Sequence, residues 1–313
     1  MTNKEKNFVS AVIYVHNAEN RIEKFLKTII DVMENNFAHS EIICVNDCSD
    51  DKSLEKITTS SSVASTTSVS VINMSYFHGV ELAMNAGVDM SIGDFVFEFD
   101  NTYLDFDPEM IMKIYFHSLQ GYDIVSASVN KKEKFTSRLF YKVFDKFTDV
   151  SYDMATESFR VLSRRVINRI SSMNKTVPYR KAIYANCGLR TDNLKYEATE
   201  KSMEDIKDKK EKSYRSGLAV DSLILFTELG YKFSITMTVV MMFMTIFMTV
   251  YSLLTYFMLN PVEGWTTTIL FLSVAFFGLF GILTIIVKYL QLLIDMVFKR
   301  KHYSFESIEK LTK

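Results

Sequence analysis

The amino-acid sequence predicts an α/β domain with a mainly parallel sheet, followed by an interfacial helix and two membrane-spanning helices. Apolar, strand-like segments alternate with segments of helical periodicity from residue 8 to about residue 125, which favours parallel strands covered by helices on both faces. Near the carboxyl end, residues 233–262 carry no charged side chain, and neither do residues 264–287. Each stretch exceeds the roughly 20 apolar residues with which a helix crosses a bilayer.

Four strands are predicted in the first part of the chain, with helices between them. The predicted strands are residues 8–15, 41–45, 69–74 and 95–99, and the predicted helices are residues 18–36, a helix that begins at Ser53, and residues 80–88. A loop rich in serine and threonine, residues 58–70, leads into the third strand. This alternation of strands and helices is typical of an α/β domain.

The stretch from Gly93 to Glu109 contains the most informative acid. A Gly-Asp turn introduces a short apolar strand, and Asp100 follows its last residue. In open α/β sheets, ligands lie in the crevice beyond the carboxyl ends of the strands, so Asp100 is placed to hold a divalent cation and, through it, a diphosphate. The alternative is a turn acid that only caps the helix beginning near Pro108.

The carboxyl-terminal part is predicted to form a membrane hairpin. The connection around Trp265 is too short for a domain, and basic residues precede the first span and follow the second, which predicts that both ends are cytoplasmic. A buried pair of helices in a soluble protein is the alternative. The predicted divisions are residues 1–214 (the α/β domain), 215–232 (an amphipathic juxtamembrane helix), 233–295 (two spans) and 296–313 (a basic cytoplasmic tail).

Overall composition excludes some classes of function. The net charge of −1 argues against a nucleic-acid partner. The three cysteines, Cys44, Cys48 and Cys187, lack zinc-site spacing and are expected to be free thiols, in agreement with a cytoplasmic domain. The amino terminus is polar, and no signal peptide is expected there.

Several short motifs, in order, carry a resemblance to a known family. They are Val-Ile-Tyr-Val-His-Asn (12–17), Glu-Ile-Ile-Cys-Val-Asn-Asp-Cys-Ser-Asp-Asp (41–51), Ala-Met-Asn-Ala-Gly (83–87), Gly-Asp-Phe (93–95), Phe-Asp (99–100), Asp-Pro-Glu (107–109) and Gly-Tyr-Asp-Ile-Val (121–125). Phe-Arg-Val-Leu-Ser-Arg-Arg (159–165) and the apolar pair extend the match. The sequence resembles glycosyltransferase family 2, and within it the membrane-bound polyprenyl-phosphate transferases similar to dolichyl-phosphate mannosyltransferase.

This resemblance implies a GT-A fold whose first half binds a nucleotide-sugar donor. By position in the motifs, Asn17 and the backbone near Val15 would border the nucleoside, and Asp47 would accept a hydrogen bond from the base. Asn85 and Gly87 would lie close to the donor. Asp47 has an alternative role as a helix-capping acid in its turn.

At the implied metal site the sequence departs from the family. The family usually has Asp-any-Asp, whereas this chain has Asp100-Asn101-Thr102. The resemblance implies Mg²⁺ or Mn²⁺ on Asp100, and Asp105 is a nearby substitute for the missing carboxylate. Ligand charge largely sets cation affinity, so the open alternatives are a weaker site, a site rebuilt with Asp105, or a chain without transferase activity.

A second departure concerns the acceptor. The family often has an acid directly before the Phe-Arg pair, where this chain has Ser158, and the adjacent Glu157 is the candidate general base. A sugar hydroxyl needs such a base, whereas a phosphate is already anionic. Arg160, Arg138 and Arg180 are candidates to bind acceptor phosphate, because guanidinium pairs its donors with phosphate oxygens.

The predicted function is that of an inverting, metal-assisted glycosyltransferase at the cytoplasmic membrane face. It would move a sugar from a nucleotide diphosphate, with a uridine nucleotide preferred from the family, to a polyprenyl phosphate. The first alternative is transfer to a hydroxyl of a lipid-linked or surface polysaccharide. The second is a non-catalytic membrane protein that keeps the fold. Association into a homo-oligomer is a further expectation from the family.

Overall fold

A computed structural model of the chain describes residues 4–130, 157–172, 180–198, 265–298 and 303–312, with isolated positions between 214 and 247. The predicted phosphate ligand Arg138 lies outside these residues, as do most of the first predicted span and the amphipathic segment before it.

Strands and helices alternate through the first half of the chain. The described elements are β1 (Glu5–Val15), α1 (Ile22–Asn36), β2 (Phe37–Asn46), α2 (Ser53–Ser61), β3 (Ser68–Met74), α3 (Val80–Met90), β4 (Phe95–Phe99), α4 (Glu109–Ser118), β5 (Ile124–Val129), β6 (Glu157–Ser163), α5 (Arg164–Ser172), α6 (Arg180–Asn186), β7 (Thr191–Tyr196), α7 (Trp265–Phe298) and β8 (Phe305–Lys310). The four strands and three helices predicted in the first part of the chain are confirmed, although several are longer or shorter than predicted.

All eight described strands belong to one sheet, in the order β7-β5-β6-β4-β1-β2-β3-β8. The central strands β4, β1, β2 and β3 are parallel, whereas β6 and β8 run antiparallel to their neighbours. The chain runs outward from β1 to β3 and then crosses back to place β4 on the other side of β1. This change of direction makes the carboxyl ends of β1 and β4 the expected ligand crevice.

Apolar side chains cover both faces of the sheet. On β1, Val9, Ala11 and Ile13 pack in one cluster with α1 and α4, whereas Val12 and Tyr14 pack in another cluster with α3. Alternate residues of a strand point to opposite faces, so a fully buried central strand is apolar on both sides. The predicted α/β architecture with helices on both faces is therefore confirmed.

The end of the chain forms part of the sheet. Within the predicted basic tail, β8 pairs antiparallel with β3 in a register that matches Ile72 with Ile308. Its far end is fixed by a hydrogen bond from the Leu311 amide to the Val69 carbonyl (2.8 Å). The last described residues thus close one edge of the sheet, where the sequence pattern predicted a tail.

The predicted localisation is contradicted. Helix α7 covers the second predicted span, and Phe276, Phe280 and Val287 are among its exposed apolar residues. Even so, no helix among the described residues combines the length and the apolar character that crossing a bilayer requires. This finding overturns the prediction of an integral membrane protein with two carboxyl-terminal spans and a cytoplasmic catalytic domain.

Candidate active site

Asp100 lies at the carboxyl end of β4, as the sequence predicts, and a second acid precedes it on the same strand face. Glu98 is two residues earlier, and residues two apart on a strand share a face. The Glu98 side chain is fully buried, whereas that of Asp100 is 17% exposed. Glu98 therefore lies in the interior, and Asp100 lies at the edge of the crevice.

Arg160 connects the two acids from the neighbouring strand. In the antiparallel pair of β4 and β6, Arg160 lies directly opposite Glu98. Its guanidinium donates from Nη1 to Oε2 of Glu98 (2.8 Å), from Nη2 to Oδ2 of Asp100 (2.7 Å) and from Nε to Oε2 of Glu157 (3.0 Å). The register of β4 and β6 thus places the predicted site residue Arg160 beside Glu98 and Asp100.

Arg180 binds the same two acids from the other side. It is the first residue of α6 and donates from Nη1 to Oε1 of Glu98 (2.7 Å) and from Nη2 to Oδ1 of Asp100 (2.6 Å). Its Nε and its backbone amide both donate to Oε2 of Glu81, at 3.0 and 2.9 Å. The Tyr184 hydroxyl adds a hydrogen bond to Oε1 of Glu98 (2.8 Å).

These residues form one buried ionic cluster, which we call the arginine cluster: Glu81, Glu98, Asp100, Glu157, Arg160 and Arg180. Burial alone would raise the pKa of Asp100, but Arg160, Arg180 and Lys181 hold that pKa well below its usual range. The neighbouring acids keep the pKa of both guanidinium groups above its ordinary value, against the effect of burial. Asp100 and the two arginines are therefore charged at neutral pH. Removing one partner from such a cluster leaves buried charge unpaired, which is costly.

The arginine cluster does not fit the divalent cation that the family resemblance implies. Both oxygens of Asp100 already accept guanidinium hydrogens. The side-chain oxygen of Asn101 accepts the Tyr103 amide (2.9 Å) and is directed into its own turn. Among the described residues, no group of three or more histidines, cysteines or acids is arranged to hold a metal ion.

Asp105, the predicted substitute ligand, belongs to a separate polar contact. Oδ1 of Asp105 lies 3.0 Å from the Tyr196 hydroxyl, which also lies 2.6 Å from Oγ of Ser158. A phenol has one proton, so Tyr196 donates to the carboxylate and accepts from the serine. Burial is the main cause of the raised pKa of Tyr196, so its hydroxyl stays protonated. Ser158 and Asp105 thus both bind the Tyr196 hydroxyl, and this contact is separate from the contacts of Asp100.

The predicted nucleoside side of the crevice lies at the ends of β1 and β2. Asn17 has a positive φ of 44° and joins the two loops, since its amide donates to Ser49 (3.2 Å) and its side-chain oxygen accepts the Asp50 amide (2.9 Å). The carbonyl of Val15 accepts the amide of Asp47 (2.8 Å). These contacts place Val15, Asn17 and Asp47 together beside the crevice.

Asp47 braces the turn between β3 and α3. Its carboxylate is fully buried and accepts the amides of His78 and Gly79, both at 2.8 Å, and the Tyr14 hydroxyl at 3.1 Å. Burial raises the pKa of Asp47, although the two amide hydrogen bonds act in the opposite direction. Two of these described partners belong to the turn that follows β3 and the third, Tyr14, belongs to β1, so these contacts do not make Asp47 a cap for α2.

Gly87 serves helix packing. A Cβ atom at this position would lie 2.3 Å from Cγ1 of Val12 and 2.7 Å from Cγ2 of Val45, so only glycine lets α3 approach the sheet so closely. Asn85 is half-buried on the same helix. The donor contacts predicted for these two residues stay predictions, and the structure gives Gly87 a sufficient packing role.

Comparison with known proteins gives the family. A family model described as glycosyl transferase family 2 matches residues 10–171, which is more than half of the chain. The chain belongs to glycosyl transferase family 2. The resemblance seen in the sequence motifs is therefore confirmed.

Three relatives of this glycosyltransferase align with between 58% and 83% of its length. An uncharacterized glycosyltransferase, sll0501, of Synechocystis is 31% identical over 188 residues, which are 58% of this chain and 58% of the relative. The uncharacterized glycosyltransferase YkcC of Bacillus subtilis is 25% identical over 83% of this chain and 81% of its own length. The bactoprenol glucosyl transferase of Shigella phage SfX is 29% identical over 62% of this chain and 64% of its own.

Solved structures of two transferases align with about 70% of this chain. The glucosyl-3-phosphoglycerate synthase of Mycobacterium tuberculosis, solved with Mn²⁺, UDP-glucose and phosphoglyceric acid, aligns with a TM-score of 0.47 and 13% identity, over 70% of this chain and 79% of that one. The mannosyltransferase PcManGT of Pyrobaculum calidifontis, solved with GDP-mannose and Mn²⁺, aligns with a TM-score of 0.45 and 12% identity, over 70% and 63%.

Sequence reasoning missed Glu98, Glu81 and Tyr184 of this glycosyltransferase site. Glu98 stands inside an apolar strand, and an acid at that position two residues before Asp100 was the available signal. Glu81 and Tyr184 lie on helices and had no such signal, because only the tertiary fold brings them to Arg180 and Glu98.

Proposed function

We propose that this family 2 glycosyltransferase moves a sugar from a nucleotide diphosphate sugar onto a polyprenyl phosphate, with inversion at the anomeric carbon. Family membership supports sugar transfer. The acceptor is proposed from several relatives, among them the bactoprenol glucosyl transferase of phage SfX and the undecaprenyl-phosphate 4-deoxy-4-formamido-L-arabinose transferase of Aeromonas hydrophila. The match spans 58% of the Synechocystis relative and 52% of the Aeromonas one, so the activity of the whole protein is a proposal.

One observation in the site favours a phosphate acceptor over a hydroxyl. Glu157 is the candidate base, but its side chain is 6% exposed and accepts from Nε of Arg160 (3.0 Å), with Nζ of Lys181 at 3.8 Å. A carboxylate held by two cations is a weak proton acceptor. Transfer to a phosphate needs no proton acceptor, and that reaction suits the residues present.

The proposed reaction is a single displacement. A phosphate oxygen of the acceptor forms a bond to the anomeric carbon as the bond from that carbon to the diphosphate breaks. The electron pair of the broken bond leaves with the nucleoside diphosphate, and no proton is transferred. Phosphate oxygens would take the place of Asp100 as acceptors for Arg160 and Arg180, since Asp100 is the exposed edge of the arginine cluster. Arg138 stays a predicted third ligand.

No step of this reaction is assigned to a metal ion, because the donor set around Asp100 does not fit one. Use of Mg²⁺ or Mn²⁺ on Asp100 stays a prediction of the family resemblance, and Asp105 as a substitute ligand stays a prediction from the sequence. The uridine preference and the homo-oligomer also stay predictions, and so do the nucleoside contacts of Val15, Asn17, Asp47, Asn85 and Gly87.

Radiolabelled nucleotide sugars test the proposed acceptor. The purified chain is incubated with UDP-glucose or GDP-mannose and undecaprenyl phosphate, in parallel with a hydroxyl-bearing glycan. We expect label in a lipid-extractable product that mild acid hydrolyses. Label found only in the glycan would support the hydroxyl reaction, and no transfer from any donor tested would count against sugar transfer altogether.

Substitution Glu157→Gln tests the mechanism. We expect transfer to polyprenyl phosphate to fall less than about tenfold, since a general base that contributes about 10²–10⁴-fold is not being removed. Glu109→Gln, at an exposed acid in the first turn of α4, is the matched control. A loss of about 10³-fold in kcat for Glu157→Gln alone would assign the base role to Glu157 and overturn the phosphate mechanism.

A further inference from the structure

The turn between β3 and α3, residues 75–79, receives contacts from the end of the chain more than 220 residues later. The backbone amide of Ser304 donates to Nε2 of His78 (3.0 Å), and the Ser75 amide donates to the carbonyl of Ser304 (3.0 Å). Just before these contacts, the Tyr303 hydroxyl donates to Asp89 at the end of α3 (2.6 Å). The residues that precede β8 thus hold both the turn and the helix that follows it.

His78 has one tautomer in this arrangement. Nδ1 contacts the carbonyl oxygen of Tyr76, which only accepts, so Nδ1 carries the proton. Nε2 then has a lone pair, which accepts the Ser304 amide. The His78 side chain is 1% exposed and stacks on the ring of Tyr76, with centroids 4.0 Å apart and planes 18° apart. Both ring nitrogens are therefore used to fix the turn.

The fixed turn presents its own amides to Asp47. The amides of His78 and Gly79 donate to the two carboxylate oxygens of Asp47, and Asp47 is joined to β1 through Val15. Gly79 has a φ of +80°, and a Cβ there would lie 2.3 Å from the ring of Tyr214, so the turn is also enclosed from that side. A continuous set of hydrogen bonds therefore runs from Ser304 to the crevice.

We propose that the segment before β8 is a positioning element for the donor, which sets nucleoside affinity through His78 and the turn that holds Asp47. This inference rests on the proposed donor site. The alternative is that β8 only covers the open edge of β3, as many proteins protect an edge strand. The two differ in one respect, because edge cover affects stability, whereas positioning affects the affinity for the nucleoside as well.

Two variants remove the contact by different means. His78→Phe keeps a ring for Tyr76 but loses both hydrogen bonds, and Ser304→Pro removes the donating amide while it keeps the carbonyl. Ser307→Ala is the matched control, since it removes the hydrogen bond that the Asn73 side chain of β3 donates to Ser307 of β8 (3.0 Å) and leaves the turn intact. Titration calorimetry with UDP and with GDP, each with and without Mn²⁺, gives the affinities, and urea unfolding gives the stability of each variant.

We expect both turn variants to weaken nucleotide binding about tenfold, the effect of roughly one hydrogen bond. The KM for the sugar donor should rise by the same factor while kcat and the KM for the acceptor stay within about twofold. Ser307→Ala should lower stability and leave affinity unchanged. Equal affinities in all four proteins would overturn the positioning role and leave only edge cover.

Amide hydrogen exchange separates this inference from the proposed function. Faster exchange at the His78 and Gly79 amides in both turn variants, with no change in Ser307→Ala, would show that the segment before β8 orders the turn, even if the wild-type chain bound neither nucleotide. That absence of binding would count against the proposed function. Unchanged exchange at these amides would overturn the inference whether or not sugar transfer is observed.

Discussion

At the scale of single residues, Glu98 is the centre of the arginine cluster. It is fully buried, and its two oxygens accept Arg160, Arg180 and Tyr184. Glu98→Gln leaves two buried guanidinium groups with one less negative charge between them. We expect the free energy of unfolding to fall by about 3 kcal/mol, as for other broken buried ion pairs, in urea denaturation at pH 7.

Glu109→Gln is the control for Glu98→Gln, because its exposed carboxylate should contribute within about 0.5 kcal/mol. A Glu98→Gln protein as stable as the control would mean that the two arginines are satisfied without Glu98. In that case the charge balance described for the cluster would be wrong.

Site residues could be predicted from the sequence only where a local sequence pattern marked them. Asp100 follows a recognisable strand, and Arg160 lies within a family motif, so both were found from the sequence. Their mutual contact was not predictable, because it depends on the register that places Arg160 opposite Glu98. The sequence showed a missing second carboxylate, but the folded structure was needed to show that both oxygens of Asp100 bind arginines.

At the scale of elements, the approach of α3 to the sheet depends on Gly87. A methyl group there would lie within 2.3 Å of Val12, closer than non-bonded carbon atoms tolerate. We expect Gly87→Ala to destabilise the chain by about 1–3 kcal/mol, since overpacking outweighs the gain in helix propensity. Gly281→Ala in α7 is the control, because within the described part of the chain a methyl group at Gly281 would meet no atom beyond its own helix backbone within 4 Å, and it should be neutral or slightly stabilising. Thermal unfolding compares the two, and equal midpoints would contradict the packing argument.

The elements themselves were mostly predictable because their apolar periodicity is strong. Central strands of a parallel sheet are buried on both faces, and β1, β2 and β3 show this as apolar runs. β8 was missed for the opposite reason. Its sequence, Phe-Glu-Ser-Ile-Glu-Lys, is polar and mostly exposed, as an edge strand should be, and its pairing with β3 is a contact across more than 230 residues.

At the scale of the whole molecule, two buried acids give opposite dependences of stability on pH. The folded pKa of Asp100 is lowered, so its contribution is present above the unfolded pKa, about 3.9, and is lost as the pH falls below it. The folded pKa of Asp47 is raised, so its contribution is present below the unfolded pKa and is lost as the pH rises through the folded value.

Urea unfolding at several pH values between 3 and 7 tests this pair of signs. Asp100→Asn should lose more stability at pH 7 than at pH 3, because only the ionised carboxylate pairs with Arg160 and Arg180. Asp47→Asn should show the reverse trend, with a smaller deficit at pH 7 than at pH 3, because the wild-type carboxyl is disfavoured as an anion in its buried turn. If Asp100→Asn lost no more stability at pH 7 than at pH 3, the arginine cluster would not be what keeps Asp100 ionised, and a larger deficit at pH 7 for Asp47→Asn would contradict the raised pKa of Asp47.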